Sequence, residues 1–449
     1  MKNLFCAVAL LFVLASCQPE TLPKSNIDFE GIDLTIKPGD NFFDHVNKTW
    51  YDTAVIADDQ VGVGSYRFLN MPQQKLLERI LEEVSSETNK KGSVDQLVGD
   101  FYRSGMDTLE INARGMQPIV PLLDRVTAIK STSEVMQFVA SELKAGNWSI
   151  IGMYISQDNE NSSRNMLHFN QTGLGLPDRD YYFKSDESTL SIQKAYQTYL
   201  STLFSLAGSE DSEKETAAVY AIEQQLAEAH KTRVELRDIK ANFNRMAIAD
   251  LDQSHPNIGW SEMLQSMGAA ADSVDIGQPQ YYEKLDQLLG AIALDDWKTY
   301  LTANVLSNYS DLLSKPFETA AFEYSKVISG QAVQQRRAQL MVKKVDRQLG
   351  FALGQLYVKR HFSEEAKKRM LDLVNNLQKA FESRIDQLDW MSDITKVEAK
   401  KKLYTITKKI GYPDVWREYD GVNIEKDNYF ENVVALRENN YHYGLDKLN

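Results

Sequence analysis

The sequence predicts a mainly α-helical protein that carries one small β-hairpin. Two observations indicate this fold class. From Ser191 onward, apolar residues recur every three or four positions, as they do on one face of a helix. Between Asn147 and Asn170, two apolar runs of strand length flank a polar turn. The chain has 449 residues, enough to bury a large core, and we expect residues 31–449 to form one multi-helix domain.

The first 30 residues are expected to lie outside this domain. Leu4–Ala15 is an apolar run that is short for a bilayer of ~30 Å and is typical of a secretory signal. The following Cys17 completes a sequence that resembles a bacterial lipoprotein cleavage site. We therefore predict a signal peptide over 1–16, lipidation of Cys17 and a polar tether over 17–30. An ordinary signal peptide with an incidental cysteine is the alternative. The predicted location is the bacterial cell envelope, anchored to a membrane by lipid.

The cysteine count and the net charge exclude several classes of site. Cys6 lies in the predicted signal and Cys17 is the predicted lipid site, so no thiol is left for a disulfide, a cysteine zinc site or a cysteine nucleophile. The formal net charge of −13 argues against binding to nucleic acid and against a polybasic membrane patch.

Two helices are predicted near the start of the domain. The turn Pro38-Gly39-Asp40 precedes apolar residues spaced at i, i+1, i+4 and i+8, which predicts a helix that buries aromatic side chains. These residues are Phe42, Phe43, Val46 and Trp50. A long helix is expected from about Pro72 to Ser85.

The hairpin is predicted from a change of hydrophobic period. Trp148–Ile155 is nearly continuous in apolar residues, Asp158–Arg164 is a polar turn, and Met166–Asn170 reads as the returning strand. The next segment, Gly173–Tyr182, contains two glycines, which are too few and wrongly placed for a phosphate-binding loop.

Two long apolar stripes predict helices in the second half. The first consists of Val219, Ile222, Leu226 and Ala229, with Glu223 and Glu228 off the stripe. The second consists of Val342, Val345, Leu349, Leu353 and Tyr357. Both follow the helical period.

The segment Trp390–Asp414 predicts a capped helix and a turn. Thr395 is followed three residues later by Glu398, the spacing of a capping box. Ala399, Leu403, Ile406 and Ile410 then lie on one helical face, and Gly411 and Pro413 end the helix.

Three of these segments resemble motifs of the neprilysin-like zinc metallopeptidases, the M13 family. Lys37–Trp50 is similar to P-G-D-D-F-Y-x-Y-x-N-G-x-W, Gly173–Tyr182 contains G-L-P-D-R-D-Y-Y, and Trp390–Asp414 is similar to W-M-x-x-x-T-K-x-x-A-x-x-K-L…I-G-Y-P-D. The resemblance spans roughly Gly31 to Leu448. It implies the N-terminal half of such an enzyme: a helical cap over a chamber that admits short peptides.

The resemblance also suggests one substrate-binding residue. In the family, an arginine and an aspartate of the segment after the first helix contact the carboxyl end of a bound peptide. These positions fall on Gly62 and Arg67 here, so neither family residue is retained. Arg67 can still bind a carboxylate through two parallel hydrogen bonds. A solvated side chain at a helix start is the alternative.

No catalytic or metal-binding residue is predicted in this chain. A zincin needs His-Glu-x-x-His, with the glutamate as general base, and none of the six histidines belongs to such a motif. His255 follows His230 by 25 positions, and His361 has no second histidine nearby. There is also no Gly-x-Ser-x-Gly. A site assembled from distant segments stays open. By resemblance, zinc is expected only on a complementary catalytic half.

Three functions therefore stay open. The chain is half of a peptidase completed by a separate polypeptide or a following reading frame, a non-enzymatic envelope lipoprotein that binds peptides, or a truncated remnant. An exposed apolar patch well above ~600 Å² would favour the first or the third. A downstream His-Glu-x-x-His would favour the first or a truncation.

Overall fold

The computed structural model describes residues 31–448. It forms two compact units, one ending at Ala57 and one beginning at Asp58. The predicted signal peptide (1–16), Cys17 and the tether (17–30) lie outside the described residues. No helix within 31–448 has the length and apolarity needed to cross a membrane.

The N-terminal unit contains the predicted aromatic helix, α1 (Phe42–Thr53). The Asn41 side chain caps it by accepting a hydrogen bond from the Asp44 N–H at 3.0 Å. The prediction that this helix buries its aromatics is wrong: no residue of α1 is buried, and Phe42 is 68% exposed. The 27 residues described in this unit, 31–57, offer too little apolar surface for a core of their own.

The larger unit consists mainly of helices, as predicted. They are α2 Ser65–Ser86, α3 Val94–Met106, α4 Thr108–Arg114, α5 Val120–Thr127, α6 Thr132–Lys144, α7 Glu187–Leu206, α8 Ser212–Ala229, α9 Ile248–Ser254, α10 Trp260–Met267, α11 Pro279–Ala291, α12 Leu294–Tyr309, α13 Lys315–Ser329, α14 Arg337–His361, α15 Glu364–Asp386, α16 Asp393–Tyr404 and α17 Tyr429–Leu445. Helix α2 starts before the predicted Pro72, which lies inside it and removes one backbone hydrogen bond.

The predicted hairpin is confirmed, and it belongs to a four-stranded sheet. Strands β1 (Gly152–Gln157) and β2 (Asn165–Asn170) pair antiparallel, and the sheet continues with β4 (Ser273–Ile276) and β3 (Arg245–Ala247) in the order β1-β2-β4-β3. Strand β4 runs parallel to β2 and antiparallel to β3. The two added strands have only three and four residues, too few to show an alternating pattern in the sequence.

One continuous apolar core holds the larger unit together. Its largest fully buried side chains are aromatic: Trp260, Trp297, Tyr281, Tyr282, Tyr300 and Tyr309. The stripes predicted on α8 and α14 face this core: Tyr357 is half-buried and packs against it, and only the half-buried Ala229 does not belong to it. Glu223 was expected off the α8 stripe but is buried, with 3% of its surface exposed.

The Trp390–Asp414 prediction needs two corrections. Ser392, rather than Thr395, caps α16, because the Ser392 hydroxyl accepts a hydrogen bond from the Thr395 N–H. The helix ends at Tyr404, so Ile406 and Ile410 lie beyond it. Leu403 is the one buried residue of α16, and one buried contact gives little tertiary support for a longer helix.

Candidate functional site

Arg67 lies in the first turn of α2 and is half-buried. Its Nη1 donates a hydrogen bond to the Gly62 carbonyl at 2.7 Å, which fixes the guanidinium near the helix start. Burial and the nearby charge of Arg67 lower the pKa of Lys343 on α14. Two cations close together would favour an anionic ligand, but the binding of a carboxylate by Arg67 stays a prediction.

The histidines are scattered. Within residues 31–448, no group of three or more His, Cys, Asp or Glu side chains is placed to hold a metal ion. His230 is buried with Nε2 at 3.1 Å from the Thr172 carbonyl oxygen, and burial lowers its pKa to about 4. His361 and His442 are exposed. The residues described here therefore do not fit a zinc site.

Ser156, His168 and Asp275 form a hydrogen-bonded chain across three strands that no sequence motif indicated. His168 Nδ1 lies 2.7 Å from Asp275 Oδ2, and its Nε2 lies 3.1 Å from Ser156 Oγ. The composition is that of a hydrolase triad. However, Ser156 lies inside a regular strand rather than on a sharp turn, and Tyr154 stacks on the imidazole at 4.8 Å. We interpret these hydrogen bonds as a structural connection between β1, β2 and β4.

A buried carboxyl group on α8 faces a cavity in the helical body. Glu223 accepts hydrogen bonds from the Tyr182 hydroxyl at 2.8 Å and the Tyr196 hydroxyl at 2.7 Å. Burial raises the pKa of Glu223 to about 7. The cavity measures about 270 Å³, and we call it the tyrosine cavity. Its lining residues are Trp148, Ser149, Thr172, Gly173, Leu174, Gly175, Tyr196, Tyr199, Leu200, Glu223, Ala303, Asn304, Ser307, Asn308, Ala321 and Tyr324.

The Gly173–Tyr182 motif builds one wall of this cavity. The Tyr182 hydroxyl accepts hydrogen bonds from the N–H groups of Gly175 and Leu176, both at 3.2 Å. A Cβ atom on Gly175 would lie 1.9 Å from the Tyr196 hydroxyl oxygen, so only glycine fits there. Gly173 adopts φ +94°, a conformation that favours glycine. Gly175 thus lets the backbone approach Tyr196, one of the two tyrosines that donate to Glu223, and Gly173 lies beside Tyr300.

Sequence reasoning missed Glu223, although the signal was present. Positions 219, 222, 223 and 226 follow the i, i+3, i+4, i+7 pattern of a buried helical face. A glutamate on that face needs hydrogen-bond partners, and the partners come from distant segments of the chain.

The Gly-Tyr-Pro turn borders a second concavity of about 570 Å³. Residues of α2, α14, α17 and the 411–419 loop line it. Tyr412 and Trp416 stack at 6.0 Å, and the Lys367 ammonium lies 4.3 Å from the Tyr412 ring centre. The turn thus presents an aromatic pair beside α14.

Helices α15 and α16 pack on each other and expose a row of large apolar side chains. Gln378 Nε2 donates to the Leu403 carbonyl at 2.8 Å, and Lys400 pairs with Asp386 at 2.9 Å. Ile385 and Leu403 are buried but do not belong to the main core. We call the exposed row the α15–α16 apolar face; it consists of Met370, Leu373, Leu377, Phe381, Ile394, Val397 and Tyr404, which are 43–80% exposed.

Comparison with known families finds one match, to peptidase family M13. The matching model describes the N-terminal part of that family and covers residues 38–413 of this chain.

Curated relatives are similar over most of this chain and about half of their own. Endothelin-converting enzyme-like 1 of Mus musculus is 26% identical over 90% of this chain and 55% of its own length. Endothelin-converting enzyme 1 of Homo sapiens is 25% identical over 93% of this chain and 56% of its own length.

Solved structures are likewise similar to most of this chain and to only part of their own. The zinc metalloprotease Zmp1 of Mycobacterium tuberculosis, in complex with an inhibitor, is 30% identical and superposes with a TM-score of 0.88. The match covers 94% of this chain and 65% of that one. PepO of Lactobacillus rhamnosis shares the fold, with a TM-score of 0.81 at 18% identity.

Proposed function

We propose, from the premise that the chain belongs to peptidase family M13, that it forms the substrate-enclosing portion of a metalloendopeptidase that cleaves short peptides. Under this proposal, the zinc ligands and the general base come from residues outside these 449, in the same or in a separate polypeptide. Zinc, when bound by those residues, would activate the attacking water. This chain would supply walls of the chamber that holds the peptide.

The superposition on Zmp1 carries the proposal. Nearly all of this chain matches a zinc metalloprotease, whereas about a third of that enzyme has no counterpart here. The residues described between 31 and 448 hold no metal-binding cluster. These facts together support a division in which this chain encloses the substrate and other residues carry the chemistry.

The α15–α16 apolar face supports a direct contact with the residues that would carry the zinc ligands. Helix α15 has 23 residues but only one buried side chain, Ile385. Amphipathic helices draw most of their stability from tertiary packing, and a row of exposed apolar side chains marks an interaction surface. The catalytic residues would therefore belong to a body that covers Leu373, Leu377 and Phe381.

The alternatives gain less support. The relatives named above are enzymes by name, so the comparisons do not favour a non-enzymatic peptide-binding lipoprotein. The capture experiment below distinguishes a truncated remnant from the proposed portion of an enzyme.

Capture of the tagged chain from its source cells tests the proposal. We expect mass spectrometry to find a His-Glu-x-x-His sequence in stoichiometric yield, either continuing this chain or in a separate polypeptide. Leu377→Asp should lower the peptidase activity of the captured material at least about tenfold, because a buried unpaired charge costs well over ~1.4 kcal/mol.

Ser383→Asp is the matched control for Leu377→Asp. It adds the same charge to an exposed position of α15, away from the apolar face, and should leave activity unchanged. Captured chain that binds short peptides without any accompanying His-Glu-x-x-His sequence would contradict the proposal.

The expected attachment to a membrane depends on Cys17, which lies outside the described residues. We propose that a lipid on Cys17 holds the protein on a bacterial envelope membrane. Cys17→Ala should move the protein from the membrane to the soluble fraction. Membrane fractionation that Cys17→Ala leaves unchanged would contradict lipidation.

A further inference from the structure

We propose that the tyrosine cavity binds a small organic ammonium ion, with the Glu223 carboxylate as its counter-ion. The site lies between α7, α8, α12 and α13, inside the helical body. The proposal does not depend on peptidase activity, because it rests on the side chains of this cavity alone.

The charge of Glu223 is the first reason. Glu223 is 3% exposed, and the side chains that donate hydrogen bonds to its carboxyl group are neutral phenols, those of Tyr182 and Tyr196. A buried carboxylate without an opposite charge is costly. A ligand that brings a positive charge into the cavity would offset this cost, whereas an anion would add to it.

Hydrogen-bond acceptors in the same cavity are the second reason. Ser149 is only 6% exposed, and its buried hydroxyl has no hydrogen-bond partner. Asn304 also lines the cavity and donates its amide N–H to the Tyr300 carbonyl at 2.8 Å. The amide oxygen of Asn304 is an additional acceptor. A primary ammonium group has three N–H donors, which matches Glu223, Ser149 and Asn304.

The tyrosine rings that line the cavity indicate the chemistry of the rest of the ligand. Tyr199 and Tyr324 stack at 5.3 Å, and Tyr196 lies tilted against Tyr324 at the same distance. Phenol rings attract cations over their faces and accept alkyl chains against them. The cavity therefore suits an ammonium head group on a short apolar chain, rather than a sugar or a phosphate.

Calorimetry on the full chain with butylammonium as probe tests the proposal. At pH 8.5, we expect butylammonium to bind at least about tenfold more tightly than 1-butanol, and butyrate not to bind. Glu223→Gln should abolish the preference for butylammonium. Glu228→Gln should leave it unchanged, since Glu228 lies on the same helix but is exposed.

Binding should also weaken as the pH falls. Five neutral tyrosines face Glu223 from its own helix and the elements packed against it: Tyr182, Tyr196, Tyr220, Tyr300 and Tyr324. Because the pKa of Glu223 is about 7, its carboxyl group is charged at pH 8.5 and neutral at pH 5.5, while butylammonium stays charged throughout. The affinity should fall about tenfold or more between these pH values, and Glu223→Gln should remove this dependence.

A second variant keeps the test decisive if Glu223→Gln does not fold. Ala321 is half-buried and lines the cavity, so Ala321→Leu narrows the space while Glu223 is retained, and it should also abolish binding. Equal binding of butylammonium and 1-butanol, no binding of butylammonium up to its solubility limit, or full binding by Ala321→Leu would each overturn the proposal.

Discussion

Gly175→Ala is expected to lower the free energy of unfolding by about 3 kcal/mol. The new Cβ would lie 1.9 Å from the Tyr196 hydroxyl oxygen and 2.1 Å from its Cζ. Tyr196 is 3% exposed, so the ring has little room to move. Its displacement would break the 2.7 Å hydrogen bond to Glu223. Overpacking costs about 1–3 kcal/mol, and a buried acceptor that loses its donor costs about 1–3 kcal/mol more. Urea denaturation measures the change.

Gly444→Ala is the matched control for this prediction. Gly444 lies near the end of α17, and a Cβ there would meet no atom within 4 Å. Alanine in a helix is more favourable than glycine, so this variant should be as stable as the wild type or slightly more stable. A Gly175→Ala protein that unfolds at the wild-type urea concentration would contradict the close packing of the Gly173–Tyr182 motif against α7.

The fold was largely predictable where local pattern and tertiary environment agree. The stripe on α8 follows from helical periodicity, because that helix buries one face against the core. The hairpin follows from two apolar runs of strand length, since β2 is buried at four successive positions. Strands β3 and β4 were not predictable, because three and four residues are too few to show a pattern. They are held by the pairing of β4 with β2 and of β3 with β4. The end of α16 was misjudged for a related reason. Ile406 continues the helical spacing but lies past Tyr404, where the chain leaves the helix.

The candidate sites were less predictable than the fold, because they are built from residues far apart in the sequence. Glu223 meets Tyr182 and Tyr196, which are 41 and 27 positions away in sequence. His168 meets Asp275 across 107 positions. The spacing on α8 could have indicated that Glu223 is buried, but no local spacing indicates which distant side chains these residues contact. The family motif itself has a physical basis: Gly175 allows the close approach, and Tyr182 ties the loop to Glu223.

The second prediction with a large effect concerns zinc. A structural or catalytic zinc site needs three or four nitrogen, sulfur or carboxylate ligands within about 2.0–2.3 Å. The chain has six histidines and no His-Glu-x-x-His, and residues 31–448 bring no three suitable side chains together. We therefore expect the purified chain to hold far less than one zinc ion per molecule and to cleave no peptide by itself.

The zinc content of this purified chain most directly tests the proposal that this chain encloses the substrate while other residues bind the zinc. Elemental analysis after purification without chelators, together with an assay on short fluorogenic peptides, should give substoichiometric zinc and no cleavage. The same preparation should gain both when residues that carry His-Glu-x-x-His are supplied. One tightly bound zinc ion per molecule of the chain alone, with peptide cleavage that a chelator abolishes, would contradict the account.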